Sequence, residues 1–472
     1  MNLPLLFLTV YSVGLLAVGV WVARRVTGSR DFFVAGRALG APLLFATVLA
    51  SNIGAGTTIG AAGLAYSDGI SAWWWNGAAA LGSVGLACWI GPRIWRVATT
   101  HNLYTAGDYL ELRYGRAVRG IVTSIIWIGT LSILAGQLIA GAAVLTVVAG
   151  IPRWAGTLAS AVVMTVYFMA GGLLSSAWVN AAQLVVLIGG FLVAAPLALA
   201  RVGGLAALAT PATEQPGFVD FWYTGGPGSG IALIALLAPN FMISPGLLQK
   251  VYGASSERAI RVGIGLQALV IAVFSFLPVT LGMAARVAHP GLASPNLVLP
   301  TVLIEQLPAA VGALALAAIY SAEVSTCDAI LFMLATSLSQ DLYKRFLRPN
   351  ATDRQLLAVA RLASVAGGIG GVVLALRLPT VVDALGIFYS LLAVSLFVPV
   401  LGGLFTRRAG APEALASIAA GISTRLTVSA MTDNRGFGYV DPTLAGIVAA
   451  ALAFVLVLTF RTRSPRANGA LG

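Results

Sequence analysis

The sequence predicts an all-α polytopic membrane protein of about 13 transmembrane helices, and three observations carry that expectation. Of 472 residues, 58% are hydrophobic and only 9% are charged, as 28 basic and 16 acidic side chains. A soluble domain carries roughly 25% charged residues, so a soluble globular enzyme, a disordered chain and a nucleic-acid-binding protein are excluded. The apolar residues also fall in runs of about 20, the length that crosses a bilayer. Finally, the basic residues fall on alternate connections between those runs, as cytoplasmic retention of Lys and Arg requires.

The runs lie at about 3–23, 40–65, 71–92, 119–149, 154–170, 178–200, 230–248, 262–285, 308–338, 355–376, 380–405, 412–430 and 441–460. The first is followed by Arg24 and Arg25 and preceded by no cation. That polarity is opposite to a secretory leader, so it reads as a first membrane helix. The connection 93–118 holds a short interfacial helix over Ala106–Tyr114, and the connections near 201–229 and 286–307 are rich in Pro and Gly, with no appended soluble domain. Residues 461–472 form a short basic tail. Cys88 and Cys327 sit inside apolar runs, where they make neither a disulfide framework nor a metal site.

With the N-terminus outside, 22 of the 28 basic residues fall on inside segments and 5 on outside ones, with Arg425 inside a run. The sequence therefore predicts a multi-pass protein of the plasma (inner) membrane with its C-terminus cytoplasmic. The net charge of +12 expresses topology and not an acidic partner.

Two runs are interrupted. Ser51-Asn52-Ile53-Gly54-Ala55-Gly56-Thr57-Thr58 is polar and glycine-rich, and Pro239-Asn240-Phe241-Met242-Ile243-Ser244-Pro245-Gly246 contains two prolines. Irregular backbone at membrane depth survives only where it is buried in protein or lines a cavity. Each interruption lies in the first helix of a five-run block, 40–200 and 230–405. An odd number of crossings per block starts the second block on the opposite side, as an inverted repeat requires. Broken helices in matching places of two halves point to a transporter's binding site. Residues 1–25 add one helix before the repeats, and 412–460 add two after them.

At these residues the chain resembles the sodium/solute symporter family, relatives of the sodium/proline, sodium/glucose and pantothenate symporters, over about 4–408. Phe33-Val34-Ala35-Gly36-Arg37 is similar to the family's F-x-A-G-R. The run from Thr105 to Gly115 is similar to T-x-x-D-Y-L-x-x-R-Y-G. Ala170-Gly171-Gly172-Leu173 with Gln183, Pro245 through Lys250 (Lys where Arg is usual), Ser325-Thr326-Cys327-Asp328 and Asp341-Leu342-Tyr343-Lys344 complete the set. The resemblance implies the LeuT-like five-plus-five inverted repeat. It also implies Na⁺ as coupling ion, held between the first broken helix and the face shared by Ala322, Ser325 and Thr326 at i, i+3, i+4. The ligand set it implies is Ala50, Ile53, Ala322, Ser325 and Thr326. Back-bonding of the two hydroxyls to their own helix is the competing reading.

Glu323 and Asp328 are acidic groups in the same run, and a carboxylate at bilayer depth is by default a functional hypothesis. Asp328 matches the family, whereas Glu323 stands where an apolar residue is usual. At 100° per residue Glu323 points about 200° away from Ser325, so it faces elsewhere than the ion. It is expected to carry a proton, contact the solute or pair with Arg425. The solute is expected between the breaks, against Asn52, Gly56, Thr57, Gln137, Asn240, Phe241 and Tyr389. Gln137 is a polar side chain in an apolar helix and needs a partner. Trp73, Trp74 and Trp75 read first as an interfacial belt.

Asn240-Phe241 stands where the glucose-carrying relatives have Tyr-Trp, so a small organic acid, an amino acid or a quaternary amine is favoured over a sugar. The function expected is sodium-coupled uptake of a small organic solute by alternating access. A proton-coupled carrier using Glu323 and a transporter-like membrane sensor are the alternatives. Nothing marks an enzyme: His101 and His289 lack clustered nucleophiles or ligands, and there is no Walker motif. The partners expected are the lipid bilayer and the solute, with no nucleic acid and no obligate protein partner.

Overall fold

The computed structural model describes residues 4–10, 13–14, 37–170, 173–222 and 229–460, without the side chains of 167–170, 173–182, 321, 325 and 328. The expected run 3–23 is helical over 4–10 and lies largely outside the described residues, as do Phe33–Gly36, the Gly171-Gly172 pair and the tail 461–472. The other twelve runs all coincide with helices. In order these are α1 (Ala41–Asn52), α2 (Ala61–Asp68), α3 (Trp73–Gly85), α4 (Gly91–Thr100), α5 (Ala106–Tyr114), α6 (Arg116–Ala149), α7 (Arg153–Ala170), α8 (Leu173–Arg201) and α9 (Gly230–Ile243). The second half has α10 (Pro245–Tyr252), α11 (Glu257–Phe274), α12 (Phe276–Ala288), α13 (Val298–Glu305), α14 (Ala309–Thr336), α15 (Asp353–Arg377), α16 (Val381–Phe405), α17 (Ala411–Thr432) and α18 (Pro442–Phe460).

Local chemistry sets many of these boundaries. Thr105 with Asp108 forms a reciprocal capping box at the start of α5, and Thr352 with Gln355 forms one at the start of α15. Ser229, Ser256 and Thr380 accept backbone N–H groups at the starts of α9, α11 and α16. Pro42, Pro92 and Pro245 occupy first-turn positions, where a missing N–H is no loss.

Among the described residues nine helices are long and apolar enough to cross a membrane, and a tenth is a bent pair, Ala41–Asn52 with Gly56–Thr100, angled by 60°. The tally is below 13 because α2 passes through a short turn (Gly69–Ala72) into α3 and on to α4, merging two expected runs, because the first run is mostly undescribed, and because α7, whose last four side chains lie outside the description, is not among the nine.

Helix contacts sort the chain into two groups. In one, α9 packs on α3, α11 on α1 and α3, and α12 on α2. In the other, α6, α7, α14 and α15 pack on one another. Helices α8 and α16 join them: α8 touches α14 and α1, while α16 touches α6 and α9. The contacts come in matched pairs. Helix α3 on α9 mirrors α11 on α1, α8 on α14 mirrors α16 on α6, and α8 on α1 mirrors α16 on α9. These pairs relate the block from α1 to α8 to the block from α9 to α16, which is the five-plus-five repeat in contact form. Helices α17 and α18 pair with each other against α16.

Candidate functional site

Both interruptions are real breaks. Helix α1 ends at Asn52, Ile53 leaves helical geometry at φ −94°, ψ 89°, and the chain resumes in a wide turn over Gly56–Gly60. The second break is shorter: Ser244 alone, at φ −51°, ψ 128°, separates α9 from α10, and the ring of Pro245 follows it. Free backbone at the first break is partly satisfied locally. Thr57 Oγ1 donates to the Asn52 carbonyl at 2.5 Å, and Thr58 Oγ1 donates to the Gly54 carbonyl at 2.9 Å. The Ala55 N–H donates to Gln137 Oε1 at 2.9 Å, which supplies the partner Gln137 needed. The Ile53 carbonyl receives no hydrogen bond from a described residue.

The first break lies against α14. Thr326 Oγ1 donates to the Ala50 carbonyl at 3.4 Å, so this hydroxyl reaches across to the break. The approach is possible because residue 54 is glycine. A Cβ there would stand 2.7 Å from Thr326 Cβ and 2.9 Å from Gln137 Oε1. Gly56 serves the same purpose on the next turn, where a Cβ would strike Leu385 and lie 3.3 Å from Trp75 Nε1. Ala50, Ile53, Ala322 and Thr326 are buried. The Ser325 and Asp328 side chains lie outside the description, so their expected roles are carried by position in α14 alone.

A cavity of about 70 Å³ opens between the two breaks. All seven expected wall residues line it: Asn52, Gly56, Thr57, Gln137, Asn240, Phe241 and Tyr389. Aromatic rings close one side, with Tyr389 centred 5.9 Å from Phe241, 6.1 Å from Trp75 and 5.4 Å from Phe388. Asn240 ties α9 to α16, since its amide donates to the Leu236 carbonyl at 2.5 Å and the Tyr389 carbonyl at 2.7 Å. Its Oδ1, fully buried, has no partner, and neither has Nδ2 of Asn52.

Sequence reasoning missed three polar wall residues, Ser51, Ser244 and Lys250, besides apolar ones such as Leu385 and Phe388. Lys250 is 4% exposed, and its ammonium donates to the Thr47 carbonyl at 2.8 Å and to Ser51 Oγ, joining α10 to α1. The signal was present: a cation five residues past Pro245, in the helix that continues the second break, was read as an inside charge and as the end of a family motif, not as a wall residue.

Two expectations need correction. The expected pairing of Glu323 with Arg425 does not form, because both Glu323 oxygens lack a partner while Arg425 lies in the field of Asp441. The reason is placement: Glu323 faces α6 and α7, beside Gly141 and Ser160, whereas Arg425 is on the outlying α17. The Trp73–Trp75 triplet is also no belt. Trp74 and Trp75 are buried, Trp73 and Trp74 donate to the Ala272 and Phe221 carbonyls, and Trp75 backs the cavity. Aromatic N–H groups with internal acceptors have no need of the lipid headgroup level.

The end of the molecule that holds α5 carries a second polar cluster. Arg119 pairs with Glu111 and Asp108 at 2.8 Å each and with Asp341 at 2.5 Å, and Thr105 Oγ1 donates to Asp341 at 2.5 Å. Arg345 clamps Glu111 with two donors. Arg37 donates to the Tyr252, Ala98 and Leu103 carbonyls nearby. Burial pushes the Glu111 carboxyl up, but hydrogen bonds from Arg345 and Arg119 outweigh it and hold the group below its ordinary value.

Comparison with known proteins agrees with this architecture. The model of the "Sodium:solute symporter family" matches residues 32–421. The sodium/glucose cotransporter of Vibrio parahaemolyticus is 25% identical over 92% of this chain and 86% of its own length. The sodium/pantothenate symporter of Escherichia coli (strain K12) is 28% identical over 98% of this chain and 97% of its own. A solved Na⁺-coupled sialic acid symporter, in a substrate-bound outward-open state, superimposes with a TM-score of 0.83 at 18% identity, covering 98% of both chains.

Proposed function

The chain belongs to the sodium:solute symporter family, and from that premise we propose how it divides its site between ion and solute. It is a multi-pass membrane protein and a secondary active transporter, coupling Na⁺ to a small solute by alternating access. The ion sits at the first break, on the carbonyls of Ala50, Ile53 and Ala322 and the hydroxyls of Ser325 and Thr326. The observation that carries this assignment is the Thr326 hydroxyl against the Ala50 carbonyl, across a gap that only glycine at 54 permits. Na⁺ is a hard cation that prefers oxygen donors, and unwound carbonyls with neighbouring hydroxyls supply them.

The solute occupies the adjoining cavity, held by Asn52, Thr57, Gln137 and Asn240 and packed against Gly56, Phe241 and Tyr389. Relatives whose names specify glucose and pantothenate set no single chemistry for it. A small organic acid, amino acid or quaternary amine fits an asparagine-and-aromatic wall better than a sugar does. Sodium draws α1 onto α14 and so fixes the cavity wall. The group built on α1, α3, α9 and α11 then rocks against the group built on α6, α7, α14 and α15. The blocks 40–200 and 230–405 are taken as the two repeats. The N-terminus faces outward and the C-terminus the cytoplasm, in the plasma (inner) membrane, so the inward sodium gradient drives uptake.

Uptake of radiolabelled small solutes into proteoliposomes, with and without a sodium gradient, tests the reading. Thr326→Ala and Ser325→Ala are each expected to raise the sodium concentration for half-maximal uptake by about tenfold or more, equivalent to about 1.4 kcal/mol. Unchanged sodium dependence in both variants would remove the ion from this site.

A further inference from the structure

The face of α14 turned away from the first break carries a second set of oxygens. Glu323 is fully buried there, beside α6 and α7, and neither of its carboxyl oxygens is bonded. Ser160 of α7 is also fully buried, and its hydroxyl has no partner. Gly141 of α6 marks the point they share: a Cβ built on it would stand 2.5 Å from Ser160 Oγ and 3.4 Å from Glu323 Oε2. A residue without a side chain leaves that point to the oxygens.

The serine departs from the habit of its neighbours. Thr157, one turn earlier in α7, donates back to the Arg153 carbonyl of its own helix at 2.9 Å, and Thr130, Ser275 and Ser364 bond back in theirs. Such back-bonding is the ordinary way for a membrane hydroxyl to be satisfied. Ser160 forgoes it and stands beside the carboxyl instead.

A buried carboxylate needs a counter-charge, and the described protein supplies none. The arginines of the two facing helices are committed elsewhere. Arg119, far along α6, pairs with Glu111, Asp108 and Asp341, and Arg153 donates to the Ala375, Leu378 and Pro379 carbonyls. A proton would remove the charge but would leave a carboxyl O–H with no acceptor and the serine hydroxyl still unanswered. A cation answers all three oxygens at once. One carboxylate among neutral oxygens suits a monovalent ion. Calcium, an ion of sodium's size, holds its oxygens at about 2.3–2.6 Å, so one ion beside Gly141 can serve Ser160 and Glu323 together.

We propose that Glu323 and Ser160 hold a second Na⁺ in the scaffold, on the face of α14 opposite the ion assigned to the first break. Helices α6, α7 and α14 pack on one another, and none of Gly141, Ser160 and Glu323 lines the solute cavity. The ion is therefore a resident of the scaffold, carried with it through the cycle, and not part of the cargo.

The experiment is equilibrium binding of ²²Na⁺ to the full-length chain in detergent, without solute, with N-methyl-D-glucamine as the balancing cation. Two ions per chain are expected at saturation. Glu323→Gln and Ser160→Ala are each expected to weaken one of the two by about tenfold or more, while Thr326→Ala weakens the other. Melting gives a second readout, because an ion that binds only the folded state raises Tm. Sodium should still raise the Tm of Thr326→Ala, and should not raise that of Thr326→Ala/Glu323→Gln. With sodium withheld, Glu323→Gln and Glu323→Met should melt no lower than wild type, which separates a lost ion from a lost fold. One ion per wild-type chain, or two bound with unchanged affinity in Glu323→Gln and Glu323→Met, overturns the inference. The two sodium assignments fail separately: if Thr326→Ala keeps both ions while Glu323→Gln keeps one, the site at the first break falls and this one stands.

Discussion

Among the described side chains, helix α14 and its continuation bury two carboxyl groups, and their surroundings differ completely. Asp341 lies in Ser337–Leu347, the extension of α14, and meets Arg119 and Thr105 at 2.5 Å each. Glu323, in the middle of α14, is fully buried with neither oxygen bonded. A Cβ on Gly141 would lie 2.5 Å from Ser160 Oγ and 3.4 Å from Glu323 Oε2, and that serine hydroxyl also lacks a partner. Saturated polar clusters hold helices in one arrangement. A buried group left unanswered contributes nothing to stability and persists for another reason. The comparison therefore sorts the protein's buried charge into clamps and open positions. The α5 end is a clamp, whereas the scaffold around Glu323 and the cavity around Asn240 are open.

Breaking the clamp should have the largest effect. Arg119→Met strips the counter-charge from Asp341, Asp108 and Glu111 together, and about 3–5 kcal/mol of destabilisation is expected from an orphaned buried charge. Loss of monodisperse protein, or a large fall in melting temperature in detergent, would register it. A Tm equal to wild type would mean the cluster is not a clamp.

Next comes Gly54→Ala. The added methyl overpacks against Thr326 and Gln137, an expected cost of about 1–3 kcal/mol. Sodium dependence of uptake should be lost with it. An alanine variant with ordinary sodium affinity would show that the close approach of α1 to α14 is dispensable.

Glu323→Met should move the other way. Replacing an unanswered buried carboxyl by an apolar side chain of similar size is expected to be neutral or stabilising, within about 1–4 kcal/mol. Asp341→Leu in the same assay should destabilise. The comparison fails if both substitutions lower the Tm alike. Uptake by Glu323→Met at several pH values also asks whether the open carboxyl contributes to transport.

The smallest effect is in the pH dependence of the clamp. Because the folded-state value of Glu111 is depressed, its stabilisation is present above the ordinary carboxyl value of 4.5 and is lost as pH falls below it. Two of its three cationic partners, Arg116 and Arg345, are exposed, so a shallow fall in Tm below that pH is expected. It should be absent in Glu111→Gln.

Much of this could be read from the chain because membrane proteins state their constraints in composition. Runs of apolar residues place helices, and a polar or proline-bearing interruption within one has few physical excuses. Asn52 through Thr58 and Pro239 through Gly246 therefore announced both breaks, and the wall residues around them converge on one cavity. What could not be read depended on rotation about helix axes. The tryptophans at 73–75 look alike in sequence, yet Trp75 backs Gly56 while Trp73 and Trp74 bond to distant carbonyls. Glu323 and Arg425 looked like partners only because each was a stray charge in an apolar run. Lys250 was hidden by a sound rule: most inside cations in such a chain do report topology. Its burial and its reach to Ser51 are tertiary facts.

Lys250 also bears on the electrical behaviour of the protein. Its charge stays with the protein when the cargo changes sides, so only the cargo's own charge crosses the membrane field. Each elementary charge moved through 100 mV is worth about 2.3 kcal/mol. A monocarboxylate travelling with a single Na⁺ carries none, and such a cycle would draw on the sodium gradient alone and be indifferent to voltage. An amino acid zwitterion with the same ion would carry one charge inward and gain from a negative interior. The current measured per solute molecule would therefore distinguish the two.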